Sequence, residues 1–205
     1  MDLNFFWRGL LIGFSIAAPV GPIGVLCIRR TLSEGRASGL ISGLGAATAD
    51  AFYGCVAAFG LKAVSDLFLN QQDWLRLAGG LFLCYLGVKT FLMKPATQAS
   101  TAAVGDLVTA YLSTLFLTLT NPMTIVSFVW VFAAMGLGSS ASNYGTAGLL
   151  VFGVFVGSAL WWLLLSAGVG WFRDKLDPPK LRWVNRVSGL VILGFGLIVL
   201  LSLKK

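Results

Sequence analysis

Apolar residues run from Gly9 to Ile28 without a charge, and five more stretches of similar character follow along the 205-residue chain. A helix needs about 20 mostly apolar residues to cross the hydrocarbon core of a bilayer. On that measure the pattern predicts six spanning helices, at about Phe5–Ile28, Gly39–Val64, Trp74–Leu92, Leu107–Gly136, Thr146–Phe172 and Asn185–Leu203. The fourth and fifth are divided by turn chemistry rather than by charge. No charged residue occurs between Asp106 and Arg173, but LGSSASNYGT is a polar, Gly/Ser-rich turn stretch. The fifth is closed by LDPPK, because Pro-Pro cannot continue a helix.

Composition agrees with this reading and narrows it. The chain is 57% hydrophobic and 11% charged, with a mean hydropathy of +0.85, against roughly 25% charge in an average soluble domain. It is expected to be one all-α integral membrane domain over residues 1–205, with the lipid bilayer as its main surroundings. The formal net charge of +7 does not point to nucleic acid, because the basic residues are spread over span ends. There they mark orientation, since Lys and Arg collect on the cytoplasmic side. Arg29, Arg30 and Arg36 fall in the first loop, Lys94 in the third, and Arg173, Lys175, Lys180 and Arg182 in the fifth. Both termini are therefore expected outside. Asp2 in place of a basic leader makes the N-terminus a poor signal peptide.

The two halves resemble each other at a spacing that drifts from about 103 to 110 residues. Asp50-Ala51-Phe52-Tyr53 in the second span matches Ser158-Ala159-Leu160-Trp161 in the fifth, and Gly60 falls opposite Gly168. Arg76 and Gly79 match Arg186 and Gly189, and Pro19 matches Pro122. Three spans per half is an odd number, so the second half must be inverted in the membrane. The expected architecture is two inverted three-helix repeats, about 1–94 and 105–205, with the first and fourth helices broken at Pro.

The breaks are the first pointer to chemistry. AAPVGPIG, Ala17–Gly24, places Pro19, Gly21 and Pro22 inside an apolar span, and Asn121-Pro122 does the same in the fourth. Irregular backbone at membrane depth is tolerated only where it is buried in protein or lines a cavity. Interrupted helices at matching positions of inverted halves point to a transporter's binding site. Gly21 and Gly24 are read as letting substrate or a neighbouring helix approach closely.

Asp50 is the second pointer. A carboxylate at the bilayer centre costs roughly 2.5–3.5 kcal/mol, which makes it a functional candidate, either as a partner for a cationic group or as a proton carrier. Gly43, Gly45, Ala46, Ala47, Ala49 and Ala51 surround it in sequence and favour close helix packing. Its repeat mate Ser158, with Thr118 and Asn121 by the second break, adds hydrogen-bonding groups, and Tyr53 and Trp161 are candidate cavity walls. Threonines in such helices commonly bond back to their own backbone instead.

Together these features resemble the LysE/RhtB family of amino-acid exporters, along essentially the whole chain. The resemblance is carried by Pro19-Val20-Gly21-Pro22, Asp50, Asn121-Pro122 and Gly153/Gly157/Trp161. Many relatives carry Pro-Gly-Pro where this chain has Val20-Gly21-Pro22. The resemblance implies export of amino acids or small amine and zwitterionic metabolites from the cytoplasm, driven by an ion or proton gradient, across a bacterial inner membrane. The chain would then be a secondary transporter, not an enzyme, with no cofactor. A homodimer is one arrangement open to it. Two other classes share the architecture. A metal-cation exporter would need more ligands than one membrane Asp without His or a Cys cluster. A thiol-redox carrier would need cysteines in both halves, whereas Cys27, Cys55 and Cys84 all lie in the first.

Overall fold

In the computed structural model the described residues are 3–19, 21–58, 71–93, 104–121, 124–128, 144–173 and 178–204, and nearly all are helical. The first expected span is two helices, α1 (Asn4–Ala17) and α2 (Pro22–Glu34), whose axes are bent by 81°. Proline explains the division. Neither Pro19 nor Pro22 has an N–H to give, and Pro22 sits in the first turn of α2, where none is needed.

α2 continues past Ile28 to Glu34 because no helix-stopping residue occurs before Gly35. Gly35 then turns the chain with φ 110° and ψ 165°, a region that essentially only glycine adopts. α3 (Arg36–Ala58) follows at once. This corrects one expectation. Arg29 and Arg30 are not loop charges. They are helical and buried, 3% and 5% exposed, because polar groups of other helices take the place of water around them.

The remaining elements are α4 (Gln72–Leu92), α5 (Val104–Leu119), a helical turn at 124–128, α6 (Tyr144–Arg173) and α7 (Pro178–Leu201), with a 3₁₀ turn at Ser202–Lys204. Pro178 and Pro179 open α7 rather than lying in a loop, as prolines can in a first turn. Among the described residues four helices are long and apolar enough to span a bilayer singly: Arg36–Ala58, Asp73–Leu92, Tyr144–Phe172 and Pro179–Leu201. The bent α1–α2 pair makes a fifth, and Gly105–Leu119 is apolar but shorter.

Lipid tails are as apolar as the helices, so helix association rests on close van der Waals contact and interhelical hydrogen bonds. Glycines supply that contact here. A Cβ on Gly9 or Gly13 would strike the backbone of Leu150 or Val154, and one on Gly153 or Gly157 the backbone of Phe6 or Leu10. The rising order on both sides shows that α1 and α6 run in the same sense. α3 and α5 are also parallel, with Gly45 against Tyr111, Thr48 bonded by the Tyr111 hydroxyl, and Tyr53 bonded to Leu119. α3 crosses α6 antiparallel, Gly43 meeting Trp162 and Gly54 meeting Val154. α4 and α7 are antiparallel through Gly80 against Gly196 and Gly87 against Gly189.

Two buried clusters fill the bundle. One gathers Ala17, Ile23, Leu26, Cys27, Leu117 and Trp162 among others, and the second is built around Ile12, Tyr53, Phe128, Leu150 and Val154. Cys27 is a fully buried packing residue. Leu11, Phe52, Leu81, Leu164 and Ile198 point outward and are exposed, the arrangement a hydrocarbon surround requires.

Candidate functional site

Asp50 lies on α3 where that helix crosses α6, and it is 3% exposed. The small residues on either side of the crossing let the two backbones come close, so the carboxylate is enclosed by helix rather than by solvent. Ser158 Oγ donates to Asp50 Oδ2 at 2.7 Å. The two residues paired by the repeat in sequence therefore touch in space. Ser158 is the one hydrogen-bond partner of Asp50 among the described residues. An ionised carboxylate can accept about four hydrogen bonds, so this acid keeps acceptor capacity for a cation or a proton.

Tyr53 stands one turn further along α3 and is buried. Its hydroxyl donates to the Leu119 carbonyl at 2.5 Å, at the last turn of α5, and its ring lies against Phe128 beyond the break. It thus joins the acid's helix to the second interruption. Trp161 packs edge-on to Phe14 of α1 with 5.4 Å between ring centroids. That contact brings the turn after Ser158 beside the end of α1.

The breaks themselves are resolved in part. Pro19 is an exposed bend residue whose carbonyl accepts the Gly21 N–H at 3.0 Å. Gly21 is the extended N-cap of α2, and Gly21 O accepts from Val25 N. A Cβ on Gly21 would meet nothing within 4 Å. Gly21 is expected to admit substrate or a neighbouring helix, and among the described residues no helix comes close to it. Asn121 follows the end of α5 outside helical geometry, and its carbonyl accepts the N–H groups of Thr124 and Ile125 as the chain turns back into a helix. Pro122 lies outside the described residues. Thr118 is buried but donates to Thr114 O within its own helix, the local alternative open to threonines.

A second polar centre is absent from the sequence-based reading. Arg30 Nη1 donates to Ser42 Oγ at 2.8 Å, Thr114 Oγ1 at 2.8 Å and Ala110 O at 3.0 Å, and Nη2 donates to Ser113 Oγ at 2.8 Å. Arg29 Nη2 pairs with Glu34 Oε1 at 2.8 Å, and Arg29 Nε donates to Asn185 Oδ1 at 3.4 Å. Ser33 Oγ donates to the same Asn185 oxygen at 2.7 Å. The available signal was the i, i+4 spacing of Ser38 and Ser42 on α3, both buried. These two arginines border a cleft of about 790 Å³ between the ends of α2, α4 and α5.

The LysE type translocator family model matches residues 14–203, nearly the whole chain. The chain is 28% identical to YcgF of Bacillus subtilis (strain 168) over 95% of its own length and 94% of that protein. It is 25% identical to the lysine exporter LysE of Corynebacterium efficiens, with 97% and 99% covered, and 23% identical to the threonine efflux protein of Escherichia coli (strain K12), with 89% and 90% covered. No solved structure matches it.

Proposed function

The chain belongs to the LysE type translocator family, and from that premise we propose that it exports an amino acid or a related zwitterionic amine metabolite from the cytoplasm, coupled to an ion or proton gradient. Membership makes it a membrane transporter rather than an enzyme. The cargo class follows from the lysine exporter and the threonine efflux protein to which it is similar. The observation that carries the mechanism is the Asp50–Ser158 bond, a membrane-buried acid with one described partner at a crossing of two spans.

In this reading six spans form two inverted repeats, with the first and fourth broken at Pro19–Pro22 and Asn121–Pro122. One correspondence supports it beyond the sequence matches. Gly45 rests on Tyr111 and Leu115, and Gly153 rests on Phe6 and Leu10. The repeat spacing carries the first set of residues onto the second. Pro19, Gly21, Pro22, Asp50, Tyr53, Thr118, Asn121, Pro122, Ser158 and Trp161 make up the proposed substrate or ion path. Asp50 takes either the cargo's ammonium group or the coupling proton. The basic span ends place both termini outside an inner membrane. A cysteine at exposed Ala37 should then react with an impermeant thiol reagent only after the membrane is opened, and labelling in intact cells would reverse the orientation.

The deciding experiment is counterflow in proteoliposomes with labelled amino acids, wild type against Asp50→Asn. The substitution keeps shape and removes charge, so folded protein should persist. Transport should fall tenfold or more, about 1.4 kcal/mol of differential stabilisation. Loss of both counterflow and net export identifies a cargo ligand, and loss of net export alone identifies a proton carrier. Wild-type rates in both assays for well-folded Asp50→Asn protein would make the residue structural.

A further inference from the structure

We propose that the cleft between α2, α4 and α5 is a loading site for a zwitterionic amino acid, with Arg30 taking its carboxylate and Asp106 its ammonium group. The inference rests on the export reading above and adds a second place where cargo is held. In the proposed orientation the cleft opens to the cytoplasm, the side from which an exporter loads.

The unbalanced charge is the starting point. Arg29 and Arg30 are adjacent and both buried, and the one carboxylate beside them among the described residues, Glu34, pairs directly with Arg29 at 2.8 Å and acts on Arg30 only through space. Among the described residues no carboxylate lies within ion-pair distance of Arg30, and its partners are three hydroxyls and one carbonyl. A guanidinium presents five donor hydrogens in a rigid fork. Nε–H and one Nη2 hydrogen have no partner among the described residues. A buried cation with only neutral partners is unfavourable, and a carboxylate is the group that best matches the fork.

The cleft supplies the rest of the recognition. Its volume of about 790 Å³ has room for a small molecule. Phe82, Leu86, Leu112 and Phe116 give it apolar walls. Asp106 is exposed in the first turn of α5 and lines the same cleft. It precedes Ala110, whose carbonyl Arg30 binds, by one helical turn, about 6 Å. Asp106 and Arg30 thus bring opposite charges to one cleft, about one helical turn apart along α5. Lys89, held over the Tyr85 ring at 5.8 Å, adds a cation at the rim. The site is distinct from the Asp50 centre, since Ser42 and Asp50 are separated by about 12 Å of helix.

The test is substrate protection of an engineered cysteine. Thr109 lines the cleft and is exposed. Thr109→Cys is made in a protein whose three native cysteines are replaced by alanine, and its labelling by a hydrophilic maleimide is timed in proteoliposomes. The probes are the twenty common amino acids and their methyl esters, which lack the carboxylate. At least one free amino acid should slow labelling tenfold or more, and its ester should not. Arg30→Gln should abolish protection and Arg30→Lys should restore part of it. Asp50→Asn should leave protection in place. The same panel is run in counterflow. An amino acid that is transported but does not protect overturns the cleft and leaves the export reading standing. Protection without counterflow of any probe leaves the cleft standing and overturns the export reading. Equal protection by ester and acid, or none by any probe, overturns the cleft assignment. Should Arg30→Gln fail to fold, the ester comparison on the Arg30 protein decides.

Discussion

The α1–α6 and α3–α5 pairs run side by side in the same sense, yet they are sealed by opposite means. Between α1 and α6 glycines come from both partners, Gly9 and Gly13 from one and Gly153 and Gly157 from the other, and each meets backbone. Between α3 and α5 only Gly45 makes such a contact with α5. Towards the start of α3 that seam holds a guanidinium, with Arg30 reaching Ser42 on α3 and Thr114 on α5. At the repeat spacing Gly9 and Leu150 correspond to Thr114 and Ser42. One backbone geometry therefore serves as a dry seal in one place and as a seat for charge in the other. The lesson is that side chains, not helix directions, give the molecule its polarity from end to end.

Three tests break or sharpen that contrast. The largest effect is expected from Gly157→Val in the dry seam. Its Cβ falls on the Leu10 carbonyl, and a backbone obstacle cannot rotate away. The cost should be ~3 kcal/mol or more, at or above the top of the usual overpacking range. Little monodisperse protein should be recovered after detergent extraction, and wild-type recovery and melting would show that α1 is not held as described. Next comes the polar seam. Ser42→Ala with Thr114→Val removes two hydrogen bonds to a buried cation, each worth about 1.5–3 kcal/mol. The melting temperature should fall, and Arg30→Met in the same background should recover part of the loss, because removing both partners is milder than removing one. An unchanged melt in the double variant would mean that water already satisfies Arg30. The smallest effect is expected from Gly148→Ala. Gly148 lies on α6 with the sealing glycines, but its Cβ would meet nothing within 4 Å. It should melt at or slightly above the wild type, by at most ~1 kcal/mol from helix propensity. A clear loss there would mean that α6 packs against something further at this point.

Part of the fold was legible in sequence, for reasons that can be named. The repeat makes Asp50 and Ser158 equivalent positions of the two halves, but equivalent positions touch only near the axis that relates the halves, and the hydrogen bond between them is a finding of the structure. The break at Pro19–Pro22 was readable because proline acts locally. Arg29 and Arg30 were not. A charge at the end of an apolar run signals a span end by itself, and nothing within two residues of Arg30 announces that Ser42, Ser113 and Thr114 will surround it. The role of those hydroxyls depends on a partner 12 to 84 positions away. Thr118 has two readings in sequence, a ligand beside a break or a hydroxyl bonded back to its own helix, and the structure shows the second bond.

The turn at Gly35 has a mechanical consequence. α2 and α3 are joined by one residue whose N–H bonds to Arg30 O at 3.0 Å, and Glu34 at the corner takes both Arg29 and Ser38. That corner is a welded elbow. At the other end of α2 two prolines interrupt the backbone ladder around Gly21, to which no helix among the described residues comes close. Any swing of the first third of the chain therefore pivots within the apolar run rather than at its charged end, and α2 travels with α3. The lever arm that carries Arg30 also carries Asp50, so a tilt about Pro19–Gly21 displaces both charges together.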